Sequence, residues 1–178
     1  MKRLLFTLAT CCVMCACEQK TEMNPFFTEF QTEYGAPDFT KIRLEHYEPA
    51  FLKGIEEQNA EIKAIVDNPE EPTFENTIVA LDKSGGILAR VSGVFFALTE
   101  ADTNDSLTAL NEKMAPVLSE HSDNIYLNQD LYKRVADVHQ QEQEGKITLT
   151  TEQHRLLDKY YKACLLYTSD AADEEDSV

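Results

Sequence analysis

The sequence predicts an all-α fold, and three observations support this prediction. Apolar residues recur every three or four positions through most of residues 44–163, which is the spacing of one helix face. The alternation of apolar and polar residues that is typical of strands is almost absent. Glycine, proline and capping residues separate the periodic stretches. We therefore expect a series of modest amphipathic helices joined by short links.

Length and charge exclude several classes of protein. The chain has 178 residues, of which 43% are apolar, so it is long enough for one domain with a core and too apolar for a disordered chain. No stretch is long enough to cross a bilayer as a helix. The net charge of −16 argues against nucleic acid as a partner, because phosphate backbones are bound by clustered lysine and arginine.

Residues 1–17 have the organisation of a lipoprotein-type signal peptide. A basic start, Met1-Lys2-Arg3, precedes 13 mostly apolar residues from Leu4 to Ala16, and the sequence then becomes polar. This length fits a secretory signal and is too short for a transmembrane helix. We expect an exported protein, periplasmic or attached to the outer membrane of a Gram-negative bacterium.

Four of the five cysteines lie in this signal segment, namely Cys11, Cys12, Cys15 and Cys17. A disulfide framework would spread cysteines through the mature chain, and a zinc site would have to form from a membrane-inserting segment. Ala16 before Cys17 resembles a loose lipidation box, so Cys17 is the predicted lipidation site, with Cys15 and Cys12 as the next choices. A lipid anchor at Cys17 would make the membrane a partner; a simple cleaved signal with incidental cysteines is the alternative.

Residues 18–43 predict an extended lead-in, because Pro25, Gly35 and Pro37 interrupt any helical period. The helical region covers residues 44–163. Its first helix is expected to begin at Glu48-Pro49, with proline in the first turn. Its inward face is then predicted to carry four residues, Leu52, Ile55, Ile62 and Val66.

The strongest helical period follows the turn at residues 67–72. Thr73 is a suitable N-cap, and Gly85-Gly86 interrupts the apolar face, which predicts a kink or a close helix crossing. The predicted face contains Phe74, Ile78, Leu81, Leu88, Val91, Phe95 and Leu98.

Three further helices are predicted after a polar link at residues 101–105. Pro116 should bend or shorten the first of them, and His121 continues its apolar face, which favours a partly buried, hydrogen-bonded imidazole. Asn128 is a suitable N-cap for the second helix, which should end near Gly145. Thr150 forms a capping-box pattern with Gln153 at the start of the third. The expected inward residues are Leu107, Leu110, Met114 and Val117, then Leu131, Val135 and Val138, then Leu156, Leu157, Tyr160 and Tyr161.

Residues 164–178 predict a non-native tail. The helical pattern stops at Cys164, and the run that starts there resembles an in-frame translation of a sequencing-library adapter. A natural acidic tail is the alternative. Without residues 1–17 and 164–178 the chain keeps 27 acidic and 14 basic residues, so its acidity belongs to residues 18–163.

The sequence itself offers no catalytic residue and no metal site. None of the four histidines lies in a His-Glu-x-x-His motif, and His139 with Glu142 is a pair of a kind that many helix surfaces carry. No glycine-rich phosphate loop follows a strand, and no Gly-x-Ser-x-Gly elbow occurs. Surface or packing roles are therefore expected for all four histidines, His46, His121, His139 and His154.

Several short runs nevertheless resemble one family. Pro72 to Ile78, followed by Ala80-Leu81 and Ser84-Gly85, is similar to the N-terminal region of the zinc metallopeptidases that include peptidyl-dipeptidase Dcp and oligopeptidase A, the thimet oligopeptidase-like family. The resemblance covers roughly residues 24–163. The other runs that carry it are Asn24 to Phe27, Phe39 to Phe51, Arg90 to Phe95 and Leu118 to His121.

This resemblance implies the N-terminal helical layer of a larger, mostly helical peptidase. Family members bind one zinc ion through His-Glu-x-x-His and a later glutamate, and those residues lie beyond position 163. The implied parent hydrolyses short peptides, with release of C-terminal dipeptides expected, whereas this chain alone is expected to be inactive. The alternative hypothesis is a self-contained, lipid-anchored helical binding module, which would be favoured if the gene ended near residue 163.

Overall fold

The computed structural model describes the backbone of residues 23–175 and the side chains of residues 23–166. Within that part of the chain there are no strands, and the all-α prediction is confirmed. Two short 3₁₀ turns, Pro25–Phe27 and Glu33–Gly35, interrupt an otherwise irregular segment before the first helix. The helices are α1 (Leu44–Val66), α2 (Ala80–Lys83), α3 (Gly86–Ala101), α4 (Asp105–Tyr126), α5 (Gln129–Gln143) and α6 (Thr151–Glu175).

Helix α1 begins five residues earlier than predicted, because Glu48 was expected to be its N-cap. Its N-cap is Arg43, whose backbone N–H donates to Nδ1 of His46 at 3.1 Å, and Pro49 lies inside the helix. Tyr47 and Phe51, about one turn apart, lie on the buried face of the helix. The prediction that Leu52 faces inward is wrong. Leu52 follows Phe51 by one position, about 100° around the helix, and is 49% exposed.

The predicted cap at Thr73 is confirmed. Its hydroxyl oxygen accepts from the backbone N–H of Asn76 at 3.1 Å, and Oδ1 of Asn76 accepts from the backbone N–H of Thr73 at 2.8 Å. The helix that follows begins as a π-helical turn, Phe74–Val79, and continues as α2. A break at Ser84 and Gly85 then separates α2 from α3, so the glycine pair marks a kink.

Pro116 does not shorten α4, contrary to one of the two expected effects. The helix continues through it to Tyr126. Proline removes one backbone donor from the helix, and because Pro116 is exposed, water can bind the carbonyl that this leaves without a partner. The caps predicted at Asn128 and Thr150 are both formed, and α5 ends before Gly145, whose φ of 70° suits a helix C-terminus.

The sequence pattern suggested that the last helix ends at Cys164, but α6 continues to Glu175. The Cys164 side chain is fully buried. A long helix can continue through any sequence without strong breakers, and residues 164–175 contain neither glycine nor proline. The origin of residues 164–178 stays a prediction.

Two apolar clusters form the core. The first joins the lead-in to α1, α3 and the N-terminal part of α4, and the second joins the later part of α1 to the π-helical turn, α2, the C-terminal end of α4, α5 and α6. The first contains Phe26, Tyr47, Ala50, Phe51, Val91, Val94, Phe95, Leu107, Leu110 and Met114. The second contains Ile62, Ile65, Phe74, Ile78, Leu81, Ile125, Leu131, Val135, Val138, Leu157 and Tyr160.

Candidate functional site

A chain of hydrogen bonds lies where the two clusters meet, and we call it the polar junction (Gln58, Glu61, Ser84, Gly85 and His121). Nε2 of His121 lies 2.8 Å from Oε1 of Gln58, and Nε2 of Gln58 donates to the Ser84 hydroxyl at 3.1 Å. That hydroxyl donates to the carbonyl of Leu81 at 2.8 Å. The amide of Gln58 thus joins α1 both to α4 and to the break between α2 and α3.

Gly85 closes the same junction from the backbone side. Its N–H donates to Oε2 of Glu61 at 2.7 Å, and its φ is +75°, a conformation that favours glycine. A Cβ at this position would lie 2.6 Å from Cδ of Gln58. The backbone conformation therefore favours glycine here, and a Cβ would also displace the Gln58 amide.

The His121 imidazole serves as a neutral donor in this arrangement. It is 6% exposed, and burial lowers its pKa below the ordinary value. Because the Gln58 amide nitrogen donates to Ser84, its oxygen is free to accept from Nε2–H of His121. The buried, hydrogen-bonded histidine predicted from the sequence is confirmed, and it joins α4 to α1.

The other three histidines also have packing or capping partners. His46 accepts the capping bond at the start of α1, and the His139 ring stacks on Tyr161 with centroids 4.0 Å apart. Nδ1 of His154 pairs with a Glu142 oxygen at 2.9 Å. Glu142 thus pairs with a histidine of α6, while its sequence neighbour His139 stacks on an aromatic ring.

The described part of the chain contains no group of three potential ligands that could hold a metal ion. No helix within it is long and apolar enough to span a bilayer. The predicted lipidation site, Cys17, and its alternatives Cys15 and Cys12 lie outside the described residues, so that prediction stays open. The sequence assigned no catalytic or metal-binding residue, and the geometry of the described residues suggests none.

The sequence analysis did not identify two side chains that hold parts of the fold together, Gln58 and Arg134. Gln58 lies among glutamates, and only its position between the inward residues Gly54 and Ile62 could have indicated that it is turned inward. Arg134 is 9% exposed on α5, and its Nη1 donates to the carbonyls of Asn68 and Glu70 at 2.9 and 3.3 Å. A lone arginine on an apolar face was the only signal, and it does not reveal which loop is bound.

Known proteins are similar to this chain over most of its length. The chain is 43% identical over 146 residues to dipeptidyl carboxypeptidase of Escherichia coli K12, a match that covers 82% of the chain and 21% of that protein. It is 41% identical over 152 residues to the protein of the same name in Salmonella typhimurium LT2, covering 22% of it. Oligopeptidase A of Escherichia coli K12 is 27% identical over 135 residues, which are 19% of that protein.

The chain spans about a fifth of the length of these relatives. No protein-family model matches it. These similarities show that the chain corresponds to an N-terminal fragment of a peptidase related to dipeptidyl carboxypeptidase and oligopeptidase A.

Proposed function

We propose that this chain is the N-terminal portion of an exported, zinc-dependent peptidase that hydrolyses oligopeptides and releases C-terminal dipeptides. The observation that carries the proposal is the 43% identity over 146 residues to a dipeptidyl carboxypeptidase. The identity to an oligopeptidase A is lower, at 27%, which favours dipeptide release over cleavage at internal bonds.

Zinc in the proposed enzyme would be held outside this chain. The full sequence has no His-Glu-x-x-His motif, and the described residues form no three-ligand group. His121, His139 and His154 each have another partner, as described above. These residues do not fit a zinc site, and we assign them no part in hydrolysis.

The contribution of this chain is structural. Its helices would form part of the wall of a channel over the metal. Such a channel admits extended peptides and excludes folded proteins. A wall of this kind must keep its shape while peptides enter and leave. The two apolar clusters and the polar junction provide such rigidity, because α1 is held to α3, α4 and the α2–α3 break at once.

Peptide hydrolysis tests the proposal. The polypeptide encoded by the complete parent gene should release the C-terminal dipeptide from an N-blocked tripeptide, lose this activity with a chelator and regain it with Zn²⁺. Residues 18–163 alone, assayed at the same concentration, should not hydrolyse the peptide. Zinc-dependent hydrolysis by that segment alone would contradict the proposal, and an inactive parent polypeptide would favour a lipid-anchored binding module.

Export with lipidation at Cys17 is a separate part of the proposal, supported by the pattern of residues 1–17. In a Gram-negative host the chain should partition into detergent and carry fatty acyl groups on its N-terminal cysteine, as measured by mass spectrometry. Cys17→Ser should abolish acylation, whereas the matched control Cys15→Ser should not. Acylation that survives Cys17→Ser would assign the anchor to another cysteine.

A further inference from the structure

Helix α3 is apolar on both of its faces. Between Gly86 and Ala101 it has two charged residues, Arg90 and Glu100. One face is buried, through Ile87, Val91, Val94 and Phe95, and packs mainly against α1. The opposite face, which we call the α3 outer face, is exposed and consists of Gly86, Ala89, Gly93, Phe96 and Ala97, with Glu100 as its one charged residue, at the C-terminal end of the helix.

The composition of the α3 outer face differs from that of the other exposed helix faces. The exposed side of α1, for example, carries Glu56 and Lys63, as expected of a solvated surface. A helix that is apolar all round is normally buried on all sides. The α3 outer face therefore has the composition of a buried surface, although nothing in the described chain covers it.

Gly93 supports the same conclusion. It lies in the middle of α3, where glycine costs about 1 kcal/mol relative to alanine. A Cβ at Gly93 would meet no atom within 4 Å, so no contact in this chain requires glycine there. A missing side chain at such a point permits another backbone to approach closely.

The α3 outer face also forms one side of a groove of about 600 Å³. The other side is the lead-in, with Phe39 56% exposed at its edge. Arg90 fixes this second side in place, because its Nη1 donates to the carbonyl of Phe26 at 2.7 Å. The groove is thus bounded by an anchored segment and by small side chains.

We infer that the α3 outer face and this groove bind an apolar helical segment of the parent polypeptide, from the part that lies beyond the residues matched here. The inference rests on the proposed function. Its basis is that the relatives are about five times as long as the matched region, so most of the parent lies outside this chain. The 16-residue α3 is shorter than the roughly 20 residues that a bilayer requires, and a surface with so little charge does not favour an ionic partner.

Cysteine labelling tests this inference in the intact protein. Ala97→Cys is introduced into this chain and into the complete parent peptidase, with the four N-terminal cysteines changed to serine in both. Labelling by a water-soluble maleimide is followed by mass spectrometry of the peptide that carries residue 97, at concentrations where sedimentation shows a monomer. Cys164 contributes little background, because burial raises the pKa of its thiol to about 11.

Position 97 should react about tenfold or more slowly in the parent than in this chain, since a covered thiol reacts only when the cover opens. The matched control is Ala60→Cys on the charged side of α1, which should react at similar rates in both proteins. Equal rates at position 97 in an active parent peptidase would overturn the inference and leave the proposed function intact. Protection of position 97 in this monomeric chain alone would also overturn it, because the chain itself would then cover the face.

Discussion

Nε2 of His121 lies 2.8 Å from Oε1 of Gln58, and this contact joins α4 to α1 at the boundary between the two apolar clusters. Helices α1 and α4 each contribute residues to both clusters. Met114 and Ile125 flank His121 on α4, and Phe51 and Ile62 flank Gln58 on α1. The polar junction thus fixes the register of the two halves of the core.

The stability of this chain should fall as the pH is lowered through the range in which free histidine titrates. Burial lowers the pKa of His121, so the unfolded chain binds a proton more readily than the folded one, and the free energy of unfolding decreases below about pH 6.5. Urea unfolding between pH 5 and 8 measures this. The decrease should be smaller in His121→Gln; identical pH profiles in the two proteins would show that His121 is not the cause.

Gly85→Ala should destabilise the chain by about 2–3 kcal/mol. Alanine at φ +75° costs about 1–2 kcal/mol, and its Cβ would displace the Gln58 amide from its hydrogen bonds. The matched control is Gly86→Ala, whose Cβ meets no atom within 4 Å and which should be neutral or slightly stabilising. Urea unfolding compares the two, and equal effects would contradict the role assigned to Gly85.

Gly54→Ala should lower the free energy of unfolding by about 1–3 kcal/mol, although alanine favours helices. Its Cβ would lie 2.7 Å from the backbone nitrogen of Leu88, so α1 and α3 would have to separate. Gly93→Ala is the matched mid-helix control and should stabilise this chain by up to about 1 kcal/mol. The melting temperatures of both variants test this prediction. Shifts of the same sign in the two variants would contradict it.

Arg134→Ala should release the turn at residues 67–72 and cost about 2–3 kcal/mol. The arginine donates to the carbonyls of Asn68 and Glu70 from a buried position, and alanine leaves both without that donor. Hydrogen exchange should become faster in residues 67–72 before other parts of the chain respond. Arg155→Ala, at an exposed position of α6, is the control; uniform acceleration throughout the chain would contradict a local anchoring role.

Local signals in the sequence predicted much of the fold. Thr73, Asn128 and Thr150 were assigned as caps because a side-chain oxygen followed by free backbone donors is a short-range pattern. The start of α1 was misplaced because Pro49 suits a first turn, whereas a cap formed by Arg43 and His46 has no common sequence signature.

The polar junction could not be predicted, because its contacts join residues far apart in sequence. Gln58 and His121 are separated by 63 positions, and Arg134 and Asn68 by 66. Patterns of period 3.6 show which face of a helix is buried and not which helix it meets. The family was recognisable from short runs such as Pro72 to Ile78, since these combine a turn, a cap and the start of an apolar face.

The nucleotide sequence of the parent genome across codon 163 tests the central claim most directly. We expect the natural reading frame to leave the Cys164–Val178 string near Ala163 and to continue several-fold further into a His-Glu-x-x-His motif with a later glutamate. A natural frame that encodes Cys164–Val178 and then stops would contradict the account, because no zinc site would exist for these helices to surround.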